Sequence, residues 1–201
     1  MITSPSLLNL LDPKFLTDWI EALGKVAKGV KAIVNMPKAE RERIRGTLDE
    51  TYRLLDTTLN MVIFRLGDVL DEATNAGFKR EAARLDNYHE WMQAEREFHL
   101  CRSLRVTLRE TQTLAGKLTA VSAKDWDALL QQMNAILTTE AEVARFIGGK
   151  FQQFAKDARR AGRDSERMQS LREALTAFRA ALQGERQKLI QQEAALLSTK
   201  L

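Results

Sequence analysis

The sequence predicts an all-α protein: an antiparallel bundle of four long helices with a shorter amphipathic N-terminal helix packed on it. Three observations lead there. Proline occurs only at positions 5, 13 and 37, and none follows in the long remainder of the chain. A strand-rich chain of this size would need prolines and turn clusters throughout. Apolar residues recur at alternating steps of four and three over long stretches, the period of a helix that buries one face. Glycine-marked breaks are few and widely spaced, so the segments between them are long.

The elements follow in order within one domain, 1–201. Asp12-Pro13 reads as an N-cap followed by proline at the first helical position, which opens a helix over 13–34. Asn35-Met36-Pro37 breaks it. The second helix covers 37–75 and carries Ile44, Leu48, Tyr52, Leu55, Leu59, Val62, Leu66 and Val69 on its seam. Asn75-Ala76-Gly77 is expected to end it, with Gly77 in the left-handed conformation. A third helix is expected over 78–118. Its apolar stripe drifts from Leu85, Tyr88 and Met92 toward Phe98, Cys101 and Leu108, so it bends or changes neighbours midway.

Ser122 with Asp125 resembles a capping box at the start of a fourth helix, 122–161. Its seam includes Trp126, Leu130, Met133, Leu137, Glu140, Ile147, Phe151 and Phe154, and Gly148-Gly149 within it signals close packing or a kink. Asp164 caps the fifth helix, 164–199, with Met168, Leu171, Leu175, Phe178, Leu182, Glu185 and Leu189 on its seam. The long helices should span about 55–60 Å at 1.5 Å per residue. Short turns make neighbours antiparallel, so the Gly77 and Gly162 turns should share one end of the bundle.

Composition narrows the function. Of 201 residues, 44% are hydrophobic, enough for a buried core, which excludes wholesale disorder. The net charge of +4 permits an acidic partner without the concentrated positive field of a dedicated nucleic-acid binder. The single cysteine, Cys101, allows no intramolecular disulfide. With no basic-then-apolar leader and no run near the ~18 apolar residues of a membrane span, the expected location is cytoplasmic.

Four groups of residues are candidates for chemistry or binding. Glu140 and Glu185 occupy seam positions at equal distances from the Gly162 turn, and Glu95 and His99 fall at the same height on helix three. A mid-bundle polar layer of this kind houses di-metal centres when two Glu-x-x-His pairs supply ligands. Neither of the two histidines, His89 and His99, follows a glutamate by three, so no metal or cofactor is expected. The layer reads as hydrogen bonding that sets helix register.

Helix one places Trp19, Leu23, Val26 and Val30 on one side and Lys25, Lys28 and Lys31 on the other. That suits docking on the bundle, or contact with an anionic membrane. Arg102, Arg105 and Arg109 share a face of helix three with Trp91 and Phe98. Arg159, Arg160 and Arg163 surround the turn between helices four and five. Both groups suit an acidic partner or membrane, while Glu95 and Glu110 dilute the first and disfavour nucleic acid.

No nucleophile has a legible His/Asp arrangement around it, and no glycine-rich phosphate loop occurs. The expected function is therefore non-enzymatic. The primary expectation is a helical interaction module, scaffold or regulator, whose partner is another protein, with homo-oligomerisation open. The alternative is a membrane-associating or pore-forming bundle that uses the lysine-faced first helix. A metal-carboxylate protein stands third.

Overall fold

The computed structural model describes residues 14–32, 36–87 and 123–198. They form five helices: α1 (Lys14–Ala32), α2 (Lys38–Leu70), α3 (Asn75–Ala82), α4 (Ala123–Ala161) and α5 (Ser165–Ser198). The protein is all-helical, with no strand among the described residues. At 1.5 Å per residue, α2, α4 and α5 are about 50, 58 and 51 Å long.

Helical period and burial coincide along α2 and α5. Ile44, Leu48, Tyr52, Leu55, Leu59, Val62, Leu66 and Val69 of α2 are all buried, as are Met168, Leu171, Leu175, Phe178, Leu182 and Leu189 of α5. Burial of each large side chain contributes roughly 1.5–3 kcal/mol, which outweighs any local preference of the chain. Contacts step down α5 as they step up α2: Tyr52 meets Gln192, Asp56 meets Arg186, Gly67 meets Arg179 and Leu70 meets Arg172. The two helices are therefore antiparallel.

Helix α1 packs most extensively on α4 and more lightly on α5 and α2. It buries Leu16, Ile20, Leu23 and Val26. On α4, Ile147, Phe151, Phe154, Ala155, Ala158 and Ala161 are buried. The helix runs unbroken through Gly148-Gly149, so that pair produces no interruption.

The boundary between α2 and α3 differs from the expected one. Helix α2 stops at Leu70, and α3 already begins at Asn75. The cause is Thr74, whose Oγ1 accepts the Gly77 amide at 3.0 Å and caps α3. Gly77 thus lies in the first turn of a helix and is not a left-handed stop. Its lack of a side chain serves another end: the Glu72 carboxylate and Thr74 hydroxyl crowd the place a Cβ would occupy. Among the described residues, Gly162 at φ +60° is the glycine with positive φ.

The expected continuous third helix is also interrupted. Helix α3 ends at Ala82, Ala83-Arg84 form a turn, and helical backbone resumes at Leu85. The Ala83 carbonyl accepts Arg159 Nη2 of α4 at 2.8 Å, and the same guanidinium pairs with Asp86. A long-range cation thus holds the break. The remainder of the expected helix, residues 88–118, lies outside the described residues.

The turn between α4 and α5 shows familiar chemistry. Gly162 takes the left-handed conformation after Ala161, and Asp164 Oδ1 accepts the amides of Glu166 and Arg167 at 3.0 and 3.1 Å. Lys79 of α3 donates to the Gly162 carbonyl at 3.2 Å, which brings the α2–α3 and α4–α5 turns to one end of the fold.

Candidate functional site

Glu185 of the expected polar layer is buried on α5. Its Oε2 accepts Thr17 Oγ1 of α1 at 2.8 Å, and its Oε1 accepts Lys188 Nζ at 2.7 Å. The partner across helices is thus an α1 hydroxyl. Glu95 and His99 lie outside the described residues, and so does the side chain of Glu140. Among the described residues, no group of three or more His, Cys, Asp and Glu side chains is placed to hold a metal ion.

The Thr17–Glu185 bond is a polar tie between α1 and α5. Glu185→Ala leaves the half-buried Thr17 hydroxyl without its acceptor, at a cost of about 1 kcal/mol. The expected readout is faster limited proteolysis within α1 at unchanged overall helicity. Cleavage at the parent rate would show that the bond contributes nothing to docking.

The lysine face of α1 is divided by the same docking. Lys25 and Lys28 are exposed, while Leu23 and Val26 are buried. The side chains of Trp19, Val30 and Lys31 lie outside the described residues. No described helix is long and apolar enough to cross a membrane.

Of the two arginine groups, Arg102, Arg105 and Arg109 lie outside the described residues. The other surrounds the Gly162 turn. Arg159 is held by Asp86 and the Ala83 carbonyl, whereas Arg160 and Arg163 are exposed. A recess of about 550 Å³ opens here between Ala76, Lys79, Arg80, Gly162, Arg163 and Met168. Glu81, beside it, is bonded by Arg80, Arg65 and Arg84. The Arg80 hydrogen bond, aided by the other two cations, holds the Glu81 carboxyl below the usual carboxylate range. Of the positive charge that the sequence concentrates at this turn, Arg159 is thus paired with a carboxylate, while Arg160 and Arg163 face solvent.

A different surface stands out. Phe64 is 67% exposed and Ile190 is 37% exposed, the two large apolar residues left open to solvent among the described residues. Both line one groove of about 390 Å³ between α2 and α5, with Asn60, Gly67, Asp68, Asp71, Arg179 and Arg186 around them. Phase explains the exposure of Phe64. At about 100° per residue it lies roughly 200° from Val62 and from Leu66, both of which face the core. A helix with its apolar stripe already satisfied has no use for a phenylalanine there.

Gly67 shapes the groove floor. The Arg179 guanidinium lies over it, with Nη2 3.1 Å from the place a Cβ would take. Arg179 Nε is buried and makes no hydrogen bond among the described residues. Arg186 crosses from α5 to Asp56 through Nε at 2.7 Å and Nη2 at 3.2 Å. Beyond that pair, burial together with the Asp49 and Asp56 carboxylates pushes the Glu193 carboxyl up, against the opposing pull of Arg53.

The signal for this groove was present in the sequence as an apolar residue out of phase with the α2 seam, within the Met61–Phe64 run. Its lining from α5 required the pairing of the helices. Comparison of the chain with protein-family models, curated proteins and solved structures finds no match.

Proposed function

We propose that this protein is a non-enzymatic interaction module: four long helices in an antiparallel bundle, α1 docked on it, and the α2/α5 groove as the surface that recognises another protein. The antiparallel α2/α5 pair and the tight α4–α5 turn support the architecture. The observation that carries the function is that exposed Phe64 and Ile190 line one groove, while the apolar seam residues of α2 and those of α5 from Met168 to Leu189 are buried. An aromatic anchor in a polar-rimmed groove is the usual composition of an interaction hot spot. A single cysteine suits a reducing compartment, so the reading places the protein in the cytoplasm. A membrane role for α1 would first require Leu16, Ile20, Leu23 and Val26 to leave the core.

Phe64→Glu is the test. The side chain is exposed, so stability should change by no more than about 0.5 kcal/mol. Binding should weaken by about thirtyfold or more, the scale of losing a hot-spot aromatic. Quantitative affinity capture with parent and variant should show a set of partners lost from the variant. Identical capture by both proteins would remove the groove from the function.

A further inference from the structure

The recess beside the Gly162 turn stands apart from the α2/α5 groove and is built differently. Ala76, Lys79, Arg80 and Ala83 recur three or four residues apart on α3, so they share one face and form one wall. Gly162 and Arg163 form the other, and Lys79 bridges the two through the Gly162 carbonyl at 3.2 Å. Met168 of α5, itself buried, lines the space as well. The space exists because the residues bordering it are small. Ala76 and Ala83 end at Cβ, and nothing lies within 4 Å of the place a Gly162 Cβ would occupy. At about 550 Å³ the recess has the size of a small-molecule site.

Its lining carries three cations, Lys79, Arg80 and Arg163, and no carboxylate. Their donors are only partly used. Lys79 gives one of three to the Gly162 carbonyl. Arg80 gives its Nε to Glu81 at 3.2 Å, while its Nη2 stands 3.9 Å from Glu72, beyond hydrogen-bond reach. Arg163 makes no side-chain hydrogen bond or ion pair among the described residues. Glu72 and Glu81 therefore offset Arg80 and leave the charges of Lys79 and Arg163 uncompensated.

A lone carboxylate would answer one of these two charges. A phosphate monoester carries about two negative charges and three acceptor oxygens, enough for Lys79 and Arg163 together with an oxygen left for Arg80. The remaining lining of Ala76, Ala83 and Met168 is apolar and suits the organic group of an ester. We propose that this recess binds a phosphate monoester with a small apolar body, held by Lys79, Arg80 and Arg163. The site is separate from the α2/α5 groove, and its test does not depend on the reading of that groove.

The test titrates the full chain with phenyl phosphate and follows backbone amides by two-dimensional NMR. Shifts should saturate as one site and be largest at Ala76, Lys79, Ala83 and Gly162. Arg163→Ala, an exposed change, should weaken binding at least tenfold, the scale of one charge-assisted contact. Lys25→Ala, on the exposed side of α1, should leave it unchanged. Benzoate, with the same ring and a single negative charge, should bind at least tenfold more weakly than phenyl phosphate. Ala76→Trp, which fills the recess and keeps its charge, should reduce the affinity for phenyl phosphate to that for inorganic phosphate. Phosphatidic acid presents the same monoester on a membrane. If vesicles containing it recruit the parent protein but not Arg163→Ala, the natural ester is a lipid headgroup; if they recruit neither while phenyl phosphate binds, it is a soluble molecule. No saturable shift at about 10 mM phenyl phosphate overturns the proposal. Shifts centred elsewhere, or an affinity unchanged in Arg163→Ala, overturn it equally.

Discussion

Phe178→Ala is expected to remove about 3–5 kcal/mol of folding stability, the largest effect of any single truncation considered. Phe178 is fully buried on α5, and its ring lies 5.6 Å from that of Phe154 on α4, tilted by 56°. Truncation removes the transfer energy of the ring, leaves a cavity, and deletes an aromatic pair worth about 0.5–1.5 kcal/mol beyond its area. The neighbours on its own helix, Leu175 and Leu182, are themselves fully buried in the seam. They leave little freedom to collapse into the gap. A domain is typically stable by only about 5–15 kcal/mol, so the variant should unfold at a much lower denaturant concentration with an unchanged slope. A loss below about 0.5 kcal/mol, the scale of surface substitutions, would place this ring outside the core.

Arg172→Ala is expected to cost about 2–4 kcal/mol although the residue is only partly buried. Its Nη1 and Nη2 donate to the carbonyls of Leu70 and Glu72 at 3.1 and 2.7 Å, and its guanidinium carbon lies 4.0 Å from the centre of the Phe78 ring. The last turn of α2 contains no basic residue. Arg172 therefore supplies from α5 the positive charge that the C-terminal dipole of α2 lacks. It also stacks on the first turns of α3. One planar group thus joins three helices at the end of the fold. Arg172→Lys should recover little, because an ammonium can neither bridge two carbonyls in this geometry nor lie flat on the ring. Arg163→Ala, an exposed change at the neighbouring turn, should stay within about 0.5 kcal/mol. Equal unfolding midpoints for Arg172→Ala and Arg163→Ala would show that the arginine does not tie the helices together.

These two residues illustrate different degrees of legibility. Phe178 was readable because helical period alone puts it on a stripe with Leu171, Leu175 and Leu182, and the burial of a stripe is decided by hydrophobicity summed over many turns. In the sequence Arg172 merely follows the arginines around Gly162. Nothing in its local sequence says that its partners are the carbonyls of Leu70 and Glu72, which are distant along the chain. The same reasoning separates Asp164 from Thr74. Asp164 stands two residues after a glycine stop, so its capping role was plain. Thr74 precedes Asn75-Ala76-Gly77, a string that reads as a stop, and only its hydroxyl bonded to the Gly77 amide reveals a start. The inward position of Glu185 followed from its seam position. Its partner Thr17 did not, because the height at which α1 docks depends on packing along its whole length.

By itself the sequence determined the helical class and the apolar seams by which α2 and α5 pack, together with the cap at Asp164. Those properties arise from local conformational preference and from a period repeated over many turns, and both are written in neighbouring residues. Only the tertiary structure decided the break at Ala83, the cation that closes α2, and the bond that ties α1 to α5. It also decided which apolar residues remain in solvent along one groove. Each of these depends on a single contact between segments far apart in the chain. A lone contact has no period to betray it, and its energy becomes visible only when the helices have chosen their neighbours and their register.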